Sequence, residues 1–174
     1  QGGYSALDLL VKQNYNYYIE KIEQANELFL EAEYEKEMKR VEQQKTVCHN
    51  AFKGENIRKD EKGNVFVTGF SKCTYDNTIV DLAMYFKRFL KKQQWDVETV
   101  ENMFSVYHNE NPLSLQDKKM LLALFIYPEK FLSLCNEYYN KRRVCVSPAM
   151  LERMEVCIVG IEKNEKMIKW LQTI

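Results

Sequence analysis

The sequence lacks any long apolar run: no stretch of its 174 residues approaches the roughly 18 apolar residues that a membrane-spanning helix needs. It also lacks an excess of one charge, because 25 lysine and arginine residues balance 25 aspartate and glutamate residues. A net charge near zero gives no electrostatic argument for binding nucleic acid or an anionic membrane. No signal-peptide pattern opens the chain, so we expect a protein that is neither secreted nor a membrane protein.

Closely spaced cysteines are absent as well. The five cysteines, Cys48, Cys73, Cys135, Cys145 and Cys157, are odd in number and never show C-x-x-C spacing. With only two histidines to assist them, a zinc site is not expected. The pattern favours free thiols in a reducing compartment such as the cytoplasm over disulfide bonds.

The composition is that of a globular domain with a real core, since 45% of the residues are hydrophobic and 29% are charged. Apolar residues at steps of three or four predict an amphipathic helix from about Ser5 to Leu30 and a shorter one from about Tyr34 to Gln44. Thr46 to Cys48 is a short β-branched piece. The strand-like runs 57–59 and 65–69 flank a polar turn and predict a β-hairpin.

Helical signals return after the hairpin. Capping signals occur at Asn77 or Thr78, at Asp96, at Ser114 with Asp117, and at Ser147 before Pro148. We predict helices over about 77–92 and 96–107, a helix that starts at 114, one over 129–140, and one from 147 to the end of the chain. Only about ten residues look like strand, so a doubly wound sheet is excluded. The sequence therefore predicts a mainly α fold.

The most specific pattern lies within residues 47–83. His49 is followed by Asn56, the predicted hairpin comes next, and Asp81 opens an Asp-Leu-Ala triplet after it. This order resembles the catalytic segment of the aminoglycoside/choline phosphotransferase family, which reads His-Gly-Asp, four residues, Asn, a hairpin, Ile-Asp-Phe/Trp and later Asp-Leu-Ala. The closest resemblance is to CotS-like bacterial spore-coat proteins, which share this kinase-like fold.

The resemblance implies a fold and a domain plan. We expect the C-terminal lobe of a kinase-like fold, a helical bundle with a small β-hairpin at the catalytic-loop position. One such lobe should cover residues 1–174, with leading helices at 1–45, the loop and hairpin at 46–76, and a helical subdomain at 77–174.

A working kinase of this type also needs an N-terminal nucleotide-binding lobe. No strands for such a lobe precede His49, and Gln1-Gly2-Gly3 is not a glycine-rich phosphate loop. We therefore expect that lobe to be absent from this chain, either because it lies upstream in a longer parent or because the protein has dispensed with it.

The resemblance also assigns roles at the site. In the family, one aspartate of the loop orients the substrate hydroxyl, an asparagine holds magnesium, and an aspartate at the end of the next strand bridges magnesium to the nucleotide phosphates. His49 matches the motif histidine, Asn56 matches the metal-binding asparagine, and Asp81 matches the aspartate that braces the loop.

Two carboxylates of the pattern are missing. Ala51 stands at the position of the catalytic aspartate and Gly69 at that of the metal-binding aspartate, while Asn50 replaces the usual glycine. Alanine and glycine offer neither charge nor a side-chain oxygen, and hard divalent cations are normally held by carboxylates. We therefore expect no catalytic residue and no cofactor. No metal is expected either; if one binds, Asn56 is its ligand.

These observations predict a catalytically inactive kinase-like protein that acts as a structural or interaction component of the bacterial spore coat. Its expected partners are other proteins, including spore-coat components, and its expected location is the cytoplasm or the spore coat. Two alternatives stay open: an ATP- and magnesium-dependent phosphotransferase for a small hydroxylated metabolite that uses Glu55 or another non-standard acid, and a generic helical interaction domain with a chance motif.

Overall fold

Helices dominate the computed structural model, which describes residues 4–92, 97–140 and 147–174. Within those ranges there are eight α-helices: α1 (Ala6–Glu31), α2 (Tyr34–Gln44), α3 (Ile79–Lys92), α4 (Val97–Glu110), α5 (Leu115–Ile126), α6 (Glu129–Asn140), α7 (Pro148–Val159) and α8 (Ile161–Leu171). None of these helices is both long and apolar enough to cross a membrane. The predicted mainly α fold is confirmed.

In the part of the chain that the structure describes, four short strands form two small antiparallel sheets. Strand β1 (Val47–Cys48) pairs with β4 (Thr74–Tyr75), and β2 (Ile57–Lys59) pairs with β3 (Val65–Val67). The second sheet is the predicted hairpin. The first sheet joins segments on either side of that hairpin, so it holds the chain before the loop beside the chain that leaves the hairpin.

The chain divides into two compact units. One contains the residues up to 27 and those from 125 onward, and the other contains residues 28–124. All of the motif residues lie in the second unit.

The first unit has a core drawn from distant parts of the chain. One buried cluster combines Leu7 and Tyr18 of α1, Phe131 and Leu134 of α6, and Met150 and Met154 of α7. The Tyr18 ring stacks on Phe131 with ring centroids 3.6 Å apart. Burial of these large apolar groups is what holds the three helices together.

In the second unit, α3 buries one face. Ile79, Leu82, Ala83 and Phe86 are all buried, and their spacing of three and four residues is that of an amphipathic helix. Asn77 starts the helix as predicted, because its side-chain oxygen accepts a hydrogen bond from the Ile79 amide at 2.9 Å.

The remaining helix starts agree with the capping signals where they can be compared. The Ser147 hydroxyl accepts from the Met150 amide at 3.2 Å, and Ser114 and Asp117 cap each other's amides. Asp96, the predicted cap of α4, lies outside the described residues.

The last predicted helix is wrong in one respect, since the chain from residue 147 forms two helices rather than one. The interruption falls at Gly160, between α7 and α8. Glycine weakens a helix interior because it gains no side-chain contact and loses more backbone entropy than other residues, so the helix breaks there.

Candidate functional site

The catalytic-loop segment, residues 49–56, runs from β1 to β2. The β1–β4 pairing matches Cys48 with Thr74, so the loop starts beside the segment that follows the hairpin. At the other end, the Thr68 amide donates to the Asn56 carbonyl at 2.9 Å and closes the base of the hairpin. The loop-and-hairpin arrangement expected from the motif is therefore present, which removes the support for a chance motif match.

Asp81, in the first turn of α3, holds the start of the loop. Its carboxylate accepts the His49 amide at 2.5 Å and the Asn50 amide at 2.8 Å. Hydrogen bonds from amides to a carboxylate are stronger than those between neutral groups, so this contact fixes the loop backbone. The geometry is that of the bracing role predicted for Asp81.

His49 is buried, and both of its ring nitrogens are engaged. Nδ1 accepts the Ala51 amide at 3.1 Å, and Nε2 lies 2.9 Å from the Thr68 carbonyl oxygen. Because the carbonyl can only accept, these two contacts require a neutral ring with its proton on Nε2. The ring also lies against Phe70, with centroids 4.6 Å apart. His49 thus has no unoccupied nitrogen with which to act as a base.

Asn56 contacts both positions that lack a carboxylate. Its side-chain nitrogen donates to the Ala51 carbonyl at 2.8 Å. At Gly69, which has a φ of +83°, a Cβ atom would lie 2.8 Å from the same nitrogen. The amide side chain therefore packs against bare backbone, and its oxygen is the only atom left to face a cation.

Acidic side chains near the loop already make other contacts. Across residues 4–92, 97–140 and 147–174, no group of three or more histidine, cysteine, aspartate or glutamate side chains could hold a metal ion. The acids near the loop in sequence are already engaged. Glu55 forms an ion pair with Lys53 at 2.5 Å, and Asp76 accepts the Asn77 amide at 2.8 Å.

Two further residues, Asn50 and Arg88, shape the site without having been predicted to do so. Asn50 has a φ of +57° and donates through its side-chain amide to the Lys72 carbonyl at 3.0 Å and the Thr74 hydroxyl at 2.6 Å. Arg88 of α3 donates to the Phe52 carbonyl at 3.0 Å. The one available signal was that asparagine, like glycine, tolerates the left-handed region.

Cys48 lies directly before the loop and is fully buried. Its thiol is 2.9 Å from the Asn77 carbonyl oxygen, to which it donates. Burial raises the pKa of the Cys48 thiol to about 12, with the nearby Asp81 charge acting in the same direction. The thiol therefore stays protonated near neutral pH and is not a nucleophile.

Comparison with known proteins gives two findings. A family model described as "Spore coat putative kinase YutH" matches residues 2–171. The crystal structure of an aminoglycoside phosphotransferase from Alicyclobacillus acidocaldarius subsp. acidocaldarius DSM 446 matches with a TM-score of 0.79 at 15% sequence identity.

That structural match covers 99% of this chain and 51% of the other, so the chain spans about half the length of the phosphotransferase. At this level of identity the likeness concerns the fold alone, and it confirms the predicted kinase-like fold. No curated protein sequence matches the chain significantly.

Proposed function

The chain belongs to the family described as "Spore coat putative kinase YutH", whose model matches residues 2–171, and we propose that it is a component of the bacterial spore coat that does not catalyse phosphoryl transfer. The resemblance of residues 47–83 to CotS-like spore-coat proteins is thereby confirmed. In the proposed role the protein acts through contacts with other proteins, and its loop serves as a folded scaffold.

The observation that carries this proposal is the chemistry of Ala51 and Gly69. Phosphoryl transfer is catalysed by positioning and by charge, and the charge comes from divalent cations held by carboxylates. Neither position has a side-chain oxygen, and the Asn56 nitrogen is committed to the Ala51 carbonyl. One neutral amide oxygen provides too few ligands to bind a magnesium–nucleotide complex.

The neighbouring acids do not supply a replacement. Both oxygens of Asp81 accept loop amides, and Glu55 is paired with Lys53. Recruiting Asp81 to a metal would cost two bonds that hold the loop, and recruiting Glu55 would break its exposed ion pair with Lys53. This argument favours the inert scaffold over a phosphotransferase that uses Glu55.

An exposed apolar surface on the hairpin supports a role in protein contact. We give the name hairpin patch to four apolar residues: Val65, Phe66, Val67 and Phe70. Their side chains are between 36% and 64% exposed. Side chains alternate along a strand, so Val65 and Val67 share one face of β3 and Phe66 lies on the other. Exposed apolar side chains such as these are available for contact with another protein.

The chain spans about half the length of the phosphotransferase, so the proposal is tested on the whole gene product by thermal denaturation with ATP and magnesium, with a catalytic aminoglycoside phosphotransferase as the positive control. A ligand that binds only the native state raises the melting temperature, by an amount that grows with ligand concentration. We expect no magnesium-dependent rise for this chain.

The rival phosphotransferase predicts the opposite result. A rise of several degrees that requires magnesium and disappears in Asn56→Ala would overturn the proposal. Because Asn56→Ala also removes a loop hydrogen bond, the comparison must be made between the same variant with and without ligand.

A second arm of the test addresses the spore coat directly. Fluorescent fusions of the chain and of Phe66→Ser would be followed in a sporulating bacterium. We expect the parent chain at the spore surface and a weaker signal there for Phe66→Ser. A parent chain that stays dispersed in the mother cell would contradict the assignment.

A further inference from the structure

Contacts between protein groups tie the loop to the segment that leaves the hairpin. We call residues 69–75 the return segment. In the family pattern, a cation shared by the loop asparagine and the aspartate at position 69 would join these two parts of the chain. With Gly69 in that place, the connection has to come from contacts between the protein's own groups.

Asn50 provides the most direct of these contacts. Its side-chain nitrogen donates to the Lys72 carbonyl at 3.0 Å and to the Thr74 hydroxyl at 2.6 Å, so one amide reaches two points of the return segment. The β1–β4 ladder pairs Cys48 with Thr74 beside it. Phe70 at the other end of the segment packs on the His49 ring.

The backbone at position 50 favours asparagine for this task. Its φ of +57° lies in the left-handed region, which glycine and asparagine adopt more readily than other residues. Glycine would keep this backbone but has no donor. Aspartate would place a carboxylate against the Lys72 carbonyl, where both groups can only accept.

We propose that Asn50 is a positioning residue that latches the return segment onto the catalytic loop and so gives the site a fixed shape without metal or nucleotide. The inference deepens the proposed function and rests on it for the statement that no ligand is needed. The latch itself depends only on the contacts of Asn50.

The test is hydrogen–deuterium exchange of the intact chain, read by mass spectrometry on peptides that cover residues 69–75. In Asn50→Gly, which retains the backbone and removes the donor, we expect these amides to exchange about fivefold faster or more, the factor for a typical lost hydrogen bond. Asn50→Asp should show at least as large an effect. Peptides over the β2–β3 turn should be unchanged.

Two variants at Thr74 provide a second test, which is needed if Asn50→Gly destabilises the whole chain and raises exchange everywhere. Thr74→Ser retains the hydroxyl that Asn50 contacts, whereas Thr74→Val has a similar shape and lacks it. We expect faster exchange of the return segment in Thr74→Val and parental exchange in Thr74→Ser. Unchanged exchange in both Asn50→Gly and Thr74→Val would overturn the latch.

The same measurement separates this inference from the proposed function. ATP and magnesium should leave exchange of the return segment in the parent chain unchanged. If they slow it, the non-catalytic proposal and the claim of ligand independence fail together, while the latch contact is still judged by the variants alone.

Discussion

At the scale of single residues, Gly69 makes the loss of a carboxylate more than a change of charge. Its φ of +83° is left-handed, and a Cβ atom there would lie 2.8 Å from the Asn56 nitrogen. Real Cβ atoms do not approach other atoms so closely. Any side chain at position 69 must therefore move the Asn56 amide, which is bound to the Ala51 carbonyl.

Gly63 offers a matched control for this contact. It also has a left-handed φ, of +88°, but a Cβ there would meet only the Lys59 side chain at 3.7 Å. We predict that Gly69→Ala and Gly63→Ala each lose about 1–2 kcal/mol of unfolding free energy for the backbone conformation. Gly69→Ala should lose about 1 kcal/mol more for the displaced hydrogen bond. Urea denaturation of both variants measures the difference, and equal losses would contradict the packing described.

At the scale of elements, α8 is tied to α1 through two partly buried polar contacts of Glu165. Glu165 accepts the Tyr17 hydroxyl at 2.7 Å and pairs with Lys21 at 2.8 Å. Burial acts to raise the pKa of Glu165, but the hydrogen bonds from Lys21 and Tyr17 outweigh it and leave that pKa below its ordinary value. Burial also raises the pKa of Tyr17, which keeps its hydroxyl protonated as a donor.

The lowered pKa sets the direction of a pH dependence. A carboxylate with a depressed pKa in the folded state stabilises the protein above its unfolded pKa, and this stability is lost as the pH falls through the folded value. We predict that Glu165→Gln lowers unfolding free energy by about 1 kcal/mol near neutral pH. The deficit should shrink as the solution is acidified.

Denaturation at a series of pH values measures this effect. Glu155→Gln, at an exposed position of α7, serves as the control and should differ little from the parent at any pH. A deficit for Glu165→Gln that stays constant on acidification would show that the contact does not depend on the carboxylate charge.

At the scale of the whole molecule, the first unit exists only because the two ends of the chain meet. Leu7 near the start lies in one cluster with Met150 and Met154 near the end, and all three are almost fully buried. The chain must therefore close a very long loop before this core can form, and the apolar burial has to outweigh that entropy.

Two neighbouring leucines test this dependence. Leu7 is fully buried, whereas Leu9 is 46% exposed. We predict that Leu7→Ala lowers the unfolding free energy by about 2–5 kcal/mol, because it opens a cavity in the core. Leu9→Ala should cost about 1 kcal/mol or less. Circular dichroism during chemical denaturation measures both, and similar losses would argue against the cluster.

The amino-acid sequence by itself determined those features that depend on near neighbours along the chain. Apolar spacing was enough for α1 and α2, and capping residues such as Asn77 and Ser147 placed helix starts that the structure confirms. The hairpin followed from a polar turn between β-branched runs. The absence of a carboxylate at Ala51 and at Gly69 could also be seen in the sequence, because it concerns the identity of a residue rather than its contacts.

Only the tertiary structure decided the features that join distant segments. Pairing of β1 with β4 brings Val47 and Cys48 to Tyr75 and Thr74. A strand of two residues is too short to show the alternation of apolar and polar residues from which strands are predicted. The bonds of Asn50, the proton position on His49 and the core shared by both chain ends likewise depend on partners far away in sequence. Local patterns report the preferences of a segment, whereas these features arise from which segments fold against each other.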